Sequence, residues 1–326
     1  MVHAGGYRSL VVGNGAGSRF IHDALVYGTD AELVAVVVPL LRAGLAAGEW
    51  VVIVCAGTTA NLLCGRLDGD SRVERLPPRE TYARAAKAIA AYGRVVEQAL
   101  AAGAPRVRLV GEVDAGLDRH GWTEWCRFEA ASNVALRRYP LWSVCLYDTR
   151  RLPAPVVDAV GQTHPHLMTA AARTRSDRYV PPADLLRRTD PAGPDPLEAT
   201  APVLAVEEPG DLSRLRTDLL AALAWAGRTG PVAQDFVFAV SEVTTNALRH
   251  GSPPVRVRLW STADRSVCAV TDAGPGFDDP LAGYAPAHGT DLSHGGMGLW
   301  LARQLCDHVS MARTADGFTV RLATAR

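Results

Sequence analysis

No charge of either sign dominates this chain of 326 residues, in which 34 basic side chains balance 34 acidic ones. That balance removes the general attraction that draws basic proteins to phosphate backbones, so direct nucleic-acid binding is not expected. Cysteine is sparse. The six cysteines, at 55, 64, 126, 145, 268 and 306, form no Cys-x-x-Cys pair, and most lie in apolar runs such as VVIVCAG and LWSVCLY. Small buried hydrophobes sit in such runs. The pattern excludes a disulfide framework and points to a reducing cytoplasm. Long hydrophobic runs are also missing. The stretch 31–41 is interrupted by Glu32 and Pro39 and followed by Arg42, which makes it too short to span a bilayer. The opening MVHAGGYRSLVVGNGAGS has no basic segment leading into a long apolar core, so no signal peptide and no membrane partner are expected. GxxxxGK[ST] does not occur, because GNGAGSRF and CAGTTAN both lack the lysine. A working P-loop is thereby excluded.

What is present is enough apolar material, 48% of the residues, for two domains with separate cores. The clearest break in composition falls at 174–210, where prolines and charges forbid a continuous helix or central strand. The reading is a first domain over 1–186, a Pro-rich linker over 187–200 and a second domain over 201–326. In the first, LVAVVVPLLRAGLAAG reads as a helix ending at Gly48 and EWVVIVCAG as a strand buried on both faces. TTANLLCGRL reads as the next helix, capped by Thr58 or Thr59. A long alanine-rich helix over 81–102, a strand RVRLVGEVD, a helix TEWCRFEAASNVALRRY and a buried strand LWSVCLYD follow. Repeated βα units imply a mainly parallel sheet covered by helices. The second domain runs strand, helix, helix, hairpin, loop, helix, hairpin, which implies a mixed or antiparallel sheet with helices on one face.

The sharpest local feature is SEVTTNALRH at 241–250, which places Glu242, Asn246 and His250 four residues apart on one helical stripe. The stripe continues through Phe238, which as an apolar residue should point into a core. Buried polar groups need partners, so the three pair with their surroundings or face a ligand. His250 stands just before Gly251 and reads as a helix-terminal residue favoured by the dipole.

Three further elements belong with that helix: Asp272-x-Gly274-x-Gly276 at a strand end, Gly295-Gly296-Met297-Gly298, and Thr319 in the last hairpin. Alone, DAGPG reads as a turn and GGMG as a helix-start loop. Together and in this order they resemble the GHKL ATPase superfamily, which includes gyrase, histidine kinases and mismatch-repair ATPases. The nearest branch is the small anti-sigma-factor serine kinases, which share SE-x3-NA-x2-HG. The resemblance covers about 201–326. It implies a GHKL (Bergerat) α/β two-layer sandwich that binds ATP and Mg²⁺. It puts the amide oxygen of Asn246 on the metal and makes Glu242 the general base that polarises a water or substrate hydroxyl. It gives Asp272 the adenine amino group, with Gly274 and Gly276 letting the backbone approach the purine and Thr319 assisting. Gly295, Gly296 and Gly298 would present free N–H groups to phosphate at a helix start. The implied partners are a sigma factor and a STAS-type anti-sigma antagonist, phosphorylated on serine or threonine, and a homodimer is expected. A non-catalytic, ATP-gated binding module is the alternative. A histidine kinase fits less well, because His164 and His166 flank a proline with no adjacent acid, and His22-Asp23 lies just before the first βα unit.

The first half, over about 18–180, resembles a MEDS sensory domain in FIHDALVYGTDAELVAVVVPLLRAGLAAGEWVVIV, RFEAASNVAL and LWSVCLYDTRRLP. That resemblance implies a degenerate RecA-like α/β domain without ATP hydrolysis. Glu129 and Asn133, at helical i, i+4 spacing with Trp122, Trp125 and Tyr147 nearby, line a sensing pocket or form an ordinary packing face.

Overall fold

Unbroken apolar runs build the first sheet, and its central strands are buried on both faces, as strands covered by helices must be. The computed structural model describes residues 20–82, 84–113, 119–189, 193–285 and 297–325, and the chain divides into two units between Leu185 and Leu186. The strands of the first unit are β1 (Phe20–Tyr27), β2 (Trp50–Val54), β3 (Val73–Arg75), β4 (Val107–Glu112), β5 (Leu141–Asp148), β6 (His166–Met168) and β7 (Arg173–Arg175). They form one sheet in the order β3-β2-β4-β5-β1-β6-β7. Every pairing is parallel except the closing β6–β7 hairpin. The helices are α1 (Asp30–Ala46), α2 (Gly57–Cys64), α3 (Pro78–Thr81), α4 (Ala85–Ala101), α5 (Arg119–Ala135), α6 (Ala154–Thr163) and α7 (Pro182–Thr189).

Local chemistry explains where these helices start and stop. Thr29 caps α1 by accepting the Glu32 N–H, and Gly48, at φ 77°, takes the left-handed turn that follows it. Neither Thr58 nor Thr59 caps α2. Ala56 holds that position without a side-chain bond. The Glu112 carboxylate, at the end of β4, accepts instead from Ala56 N at 2.8 Å and from Thr59 Oγ1 at 2.9 Å. An internal anion therefore fills the helix start where a nucleotide phosphate would sit in a P-loop protein. His22 and Asp23 do not precede the first βα unit. They lie inside β1, which pairs with β5 and β6.

The second unit holds β8 (Leu204–Glu207), α8 (Leu212–Trp225), α9 (Pro231–His250), β9 (Arg256–Ser261), β10 (Arg265–Asp272), α10 (Gly298–Leu305), β11 (His308–Thr314) and β12 (Gly317–Ala325). Its sheet runs β11-β12-β10-β9-β8 and is antiparallel throughout. Leu219 and Leu223 of α8, Phe236, Val240 and Val243 of α9 and Ala302 of α10 pack on Val257, Val270 and Leu322 of the sheet. Within 187–200, a one-turn 3-10 helix at Pro196–Ala199 packs against this sheet. Arg265 pairs with Asp195, Arg321 donates to Glu198 at 2.6 Å, and the Trp260 indole donates to the Thr200 carbonyl at 2.9 Å. Among the described residues no helix is long and apolar enough to cross a membrane, and all six cysteines are free.

Candidate functional site

Helix α9 buries one stripe and leaves another open. Ala233, Phe236, Val237, Val240, Val243 and Thr244 face the core. The stripe carrying the polar residues is rotated away from it. Phe238 is 44% exposed rather than in the core, Glu242 and Asn246 are half-buried, and His250 is exposed. FVFAV offers more consecutive apolar residues than one helical face can bury, so Phe236, Val237 and Val240 take the core and Phe238 is left outside. Among the described residues Glu242 and Asn246 carry no hydrogen bond or ion pair, so both polar heads are available.

The last turns of α9 touch two other elements. A Cβ on Gly298, the first residue of α10, would lie 2.5 Å from Asn246 Nδ2, so the glycine lets the amide rest on the helix start. Gly251, at the other side of the turn, has no room for a Cβ because the Asp272 carboxyl fills it. Its φ of −85° is not left-handed, so glycine is needed there for close approach and not for a left-handed cap. Asp272 is 6% exposed at the end of β10. Its Oδ1 accepts from Ser252 N at 3.1 Å and Gly274 N at 2.8 Å. Its Oδ2 has no partner among the described residues. Gly274 makes space for that same carboxylate, and Gly276, at φ 58°, makes space for the Phe318 ring.

Thr319 is not brought to this cluster. In the β10–β12 register Asp272 stands opposite Phe318, while Thr319 stands opposite Thr271. Side chains alternate along a strand, so Thr319 faces the other side of the sheet. There its hydroxyl is 2.9 Å from that of Thr271, in a cavity of about 310 Å³ that Arg256, Arg258 and Arg321 also line. Phe318 takes the place beside Asp272 and packs on Phe277, with ring centroids 5.1 Å apart. Arg303 of α10 anchors the returning loop, donating to the Ala282 carbonyl at 2.8 Å with its guanidinium 4.2 Å above Tyr284. Gly295 and Gly296 lie outside the described residues.

In the first unit, Glu129 and Asn133 of α5 face β1 and β5. The Glu129 carboxylate, 1% exposed, lies 3.1 Å from His22 Nε2, 3.6 Å from His164 Nε2 and 3.4 Å from Cys145 Sγ, and it accepts the Tyr147 hydroxyl at 3.0 Å. Burial alone would raise its pKa, but His164, His22 and Tyr147 together hold it down to about 2. Burial pushes His164 down to about 3, and burial pushes the Cys145 thiol well up. Asn133 ties the group together: its amide donates to the Glu129 and Thr163 carbonyls at 3.0 and 2.9 Å, and its oxygen faces His22 Nδ1 at 3.1 Å. The Trp125 indole reaches Tyr147 OH at 3.4 Å. Trp122 is half-buried and joins the group through no hydrogen bond or ring contact among the described residues.

With both geometries in view, comparison with known proteins divides the chain the same way. Residues 205–324 match the histidine kinase-like ATPase domain, and 21–165 match the MEDS family, the methanogen/methylotroph DcmR sensory domain. Serine-protein kinase RsbW of Bacillus velezensis is 34% identical over 126 residues, 35% of this chain and 78% of its own length. RsbW of Bacillus subtilis is 32% identical over the same extent, and that of Bacillus licheniformis 37% identical over 101 residues, 27% of this chain and 62% of its own. The chain belongs to the RsbW serine-protein kinase family. Its relatives align with the ATPase part, and the MEDS part is additional to the segment they share.

For this RsbW-family chain, sequence reasoning missed Phe318 beside Asp272, read Gly251 only as the residue after the helix end, and did not place His22, Cys145 and His164 around Glu129. Two of these had a signal. Cys145 and Tyr147 are two apart on one strand and so share a face, and Phe318 was one register step from the residue chosen. His22 and His164 had none, since sequence separations above 30 residues carry no local pattern.

Proposed function

We propose that the chain is a protein serine/threonine kinase of the GHKL type that uses ATP with Mg²⁺, phosphorylates a STAS-type anti-sigma antagonist and thereby controls a sigma factor. On this reading it is cytoplasmic and acts as a homodimer, and the MEDS unit supplies a sensory input. The observation that carries the proposal is the convergence at the end of α9, where the Asn246 amide rests on the start of α10 and the Asp272 carboxylate keeps one oxygen without a partner among the described residues.

These residues suit a magnesium nucleotide. The missing Cβ of Gly298 lets the Asn246 amide rest at the start of α10, and that amide's oxygen is a hard ligand of the kind Mg²⁺ prefers. The free N–H groups at the α10 start favour an anion. Mg²⁺, when bound, offsets phosphate charge and orients the transferable group. Asn246 would hold the ion. Asp272 accepts the adenine amino hydrogen through the oxygen that Ser252 and Gly274 leave uncommitted. Glu242, one turn before Asn246 and without an ion-pair partner among the described residues, accepts the proton of the attacking serine hydroxyl. A group meant to take a proton is better left unneutralised by a fixed cation.

The histidine-kinase reading finds no support in His164, which is wholly buried. The test is transfer from radiolabelled ATP to a partner recovered by pull-down. Phosphoserine or phosphothreonine on the partner supports the reading. Acid-labile phosphate on the chain itself would indicate a histidine kinase, and ATP binding with no transfer would favour a gated binding module.

A further inference from the structure

We propose that the first unit carries a metal site, with His22, Glu129, Cys145 and His164 as the four ligands of a divalent first-row ion, Zn²⁺ by its chemistry. Nothing in this inference depends on the kinase reading, because the four residues belong to the other unit.

The first argument is proton counting. Thr163 donates its hydroxyl to the Val160 carbonyl, so His164 Nδ1 donates to Val160 O at 3.1 Å and to Thr163 Oγ1 at 2.9 Å. That leaves a lone pair on His164 Nε2, which has no hydrogen-bond partner among the described residues and is fully buried. For His22, the Asn133 amide is oriented by its two carbonyl acceptors, so Asn133 Oδ1 receives the His22 Nδ1 proton. With His22 neutral, its Nε2 is also a lone pair, 3.1 Å from Glu129 Oε2. Tyr147 satisfies only Oε1 of that carboxylate. Three acceptors (two imidazole nitrogens and Glu129 Oε2) therefore converge on one available hydrogen, the Cys145 thiol. Buried acceptors left facing one another are costly. One cation satisfies all of them.

The second argument is geometry. The four ligand atoms all lie within 4.8 Å of one another. The measured pairs are His22–Glu129 at 3.1 Å, His22–Cys145 and Cys145–Glu129 at 3.4 Å, and His164–Glu129 at 3.6 Å. Tetrahedral zinc with bonds of about 2.0–2.3 Å separates its ligands by about 3.3–3.8 Å. These four pairs fall at or near that spacing, and His164 stays within 4.8 Å of His22 and Cys145, so an ion enters once His164 closes in. A thiolate and a carboxylate neutralise a divalent charge, and the mixed nitrogen, sulfur and oxygen set suits a borderline-soft metal.

The third argument is the surrounding support. Metal-bound imidazoles commonly donate their other nitrogen to a carbonyl or carboxylate, which fixes ring and tautomer. Here Asn133 Oδ1 and the Val160 carbonyl receive those protons, and Tyr147 holds the carboxylate. The site ties together β1, β5, α5 and the end of α6, so filling it would clamp two helices to the sheet of the sensory unit. That gives this unit a metal-dependent state.

The test uses the full-length chain, stripped with chelator and titrated with Co²⁺ or Zn²⁺. We expect one ion per chain, the visible absorption of tetrahedral cobalt and a thiolate-to-cobalt charge-transfer band, all displaced by zinc. Cys145→Ser should abolish the charge-transfer band, whereas Cys126→Ser, on α5 outside the ligand set, should retain it. Asn133→Ala, which removes the support of His22 and the bond to the Thr163 carbonyl beside His164, should weaken cobalt binding by about 10–100-fold. Circular dichroism of each stripped variant checks folding. Absence of stoichiometric cobalt binding by the folded wild type would overturn the proposal. A cobalt spectrum without the thiolate band, or with a band that survives in folded Cys145→Ser, would equally overturn it.

Discussion

Replacing Asp272 by asparagine separates the fold from the proposed nucleotide contact. The Oδ1 atom takes two backbone N–H bonds, at 3.1 and 2.8 Å, and an asparagine oxygen in its place keeps both. What they lose is charge assistance, which roughly halves such bonds, so folding should weaken by only about 1 kcal/mol. The change at the second oxygen is larger. An acceptor becomes an NH₂ donor, aimed at the adenine amino group that it was to receive. Losing a charge-assisted bond and facing donor to donor should cost about 1–3 kcal/mol, or about 5- to 150-fold in affinity. Calorimetry with Mg-ATP reads the affinity, and a thermal melt without nucleotide reads the fold. The expected result is a drop in affinity with a melting temperature lowered by a few degrees at most. Unchanged affinity in Asp272→Asn would refute the adenine assignment. A collapse of the nucleotide-free melt would show that the charge holds the α9–β10 corner together and that the two roles cannot be separated this way.

Glu242→Gln keeps size and hydrogen bonding but cannot take a proton, so phosphate transfer should fall by about 10²–10⁴-fold while ATP affinity stays within about twofold; wild-type transfer would remove the base assignment. Asn246→Ala should depress both Mg-ATP affinity and transfer, and an affinity for ATP independent of Mg²⁺ concentration in wild type would contradict its role as a metal ligand. Gly317→Ala places a Cβ against the Asp272 carbonyl at a φ of 125°, and since backbone cannot step aside, the chain should lose about 3 kcal/mol or more, read from denaturant midpoints. In the first unit, Arg108 pairs with Glu49, both nearly buried, and donates to the Leu40 carbonyl at 2.6 Å. Arg108→Ala should therefore cost about 3–5 kcal/mol by leaving the carboxylate alone, and Glu49→Ala in the same chain should recover part of it.

Some of this protein was already decided along the chain. Strands such as VVIV and LWSVCLYD, the helix around SEVTTNALRH and the order of hairpins in the second unit follow from local periodicity, which any short window reveals. Glu242 and Asn246 stood out by their four-residue spacing, which is local, whereas Asp272 entered through the resemblance to the GHKL superfamily, since DAGPG alone reads as a turn. Tertiary packing decided the rest. Phe238 is exposed because its neighbours on α9 won the core, a competition that periodicity does not resolve. Thr319 faces away from Asp272 because one step of β10–β12 register exchanges the two faces, and register is fixed by pairing across the sheet. Gly251 and Gly274 are explained by one carboxylate that reaches them only in the folded corner. The group around Glu129 is the strongest case: His22 and Cys145 are 123 residues apart, and β1 and β5 meet only when the parallel sheet closes around them.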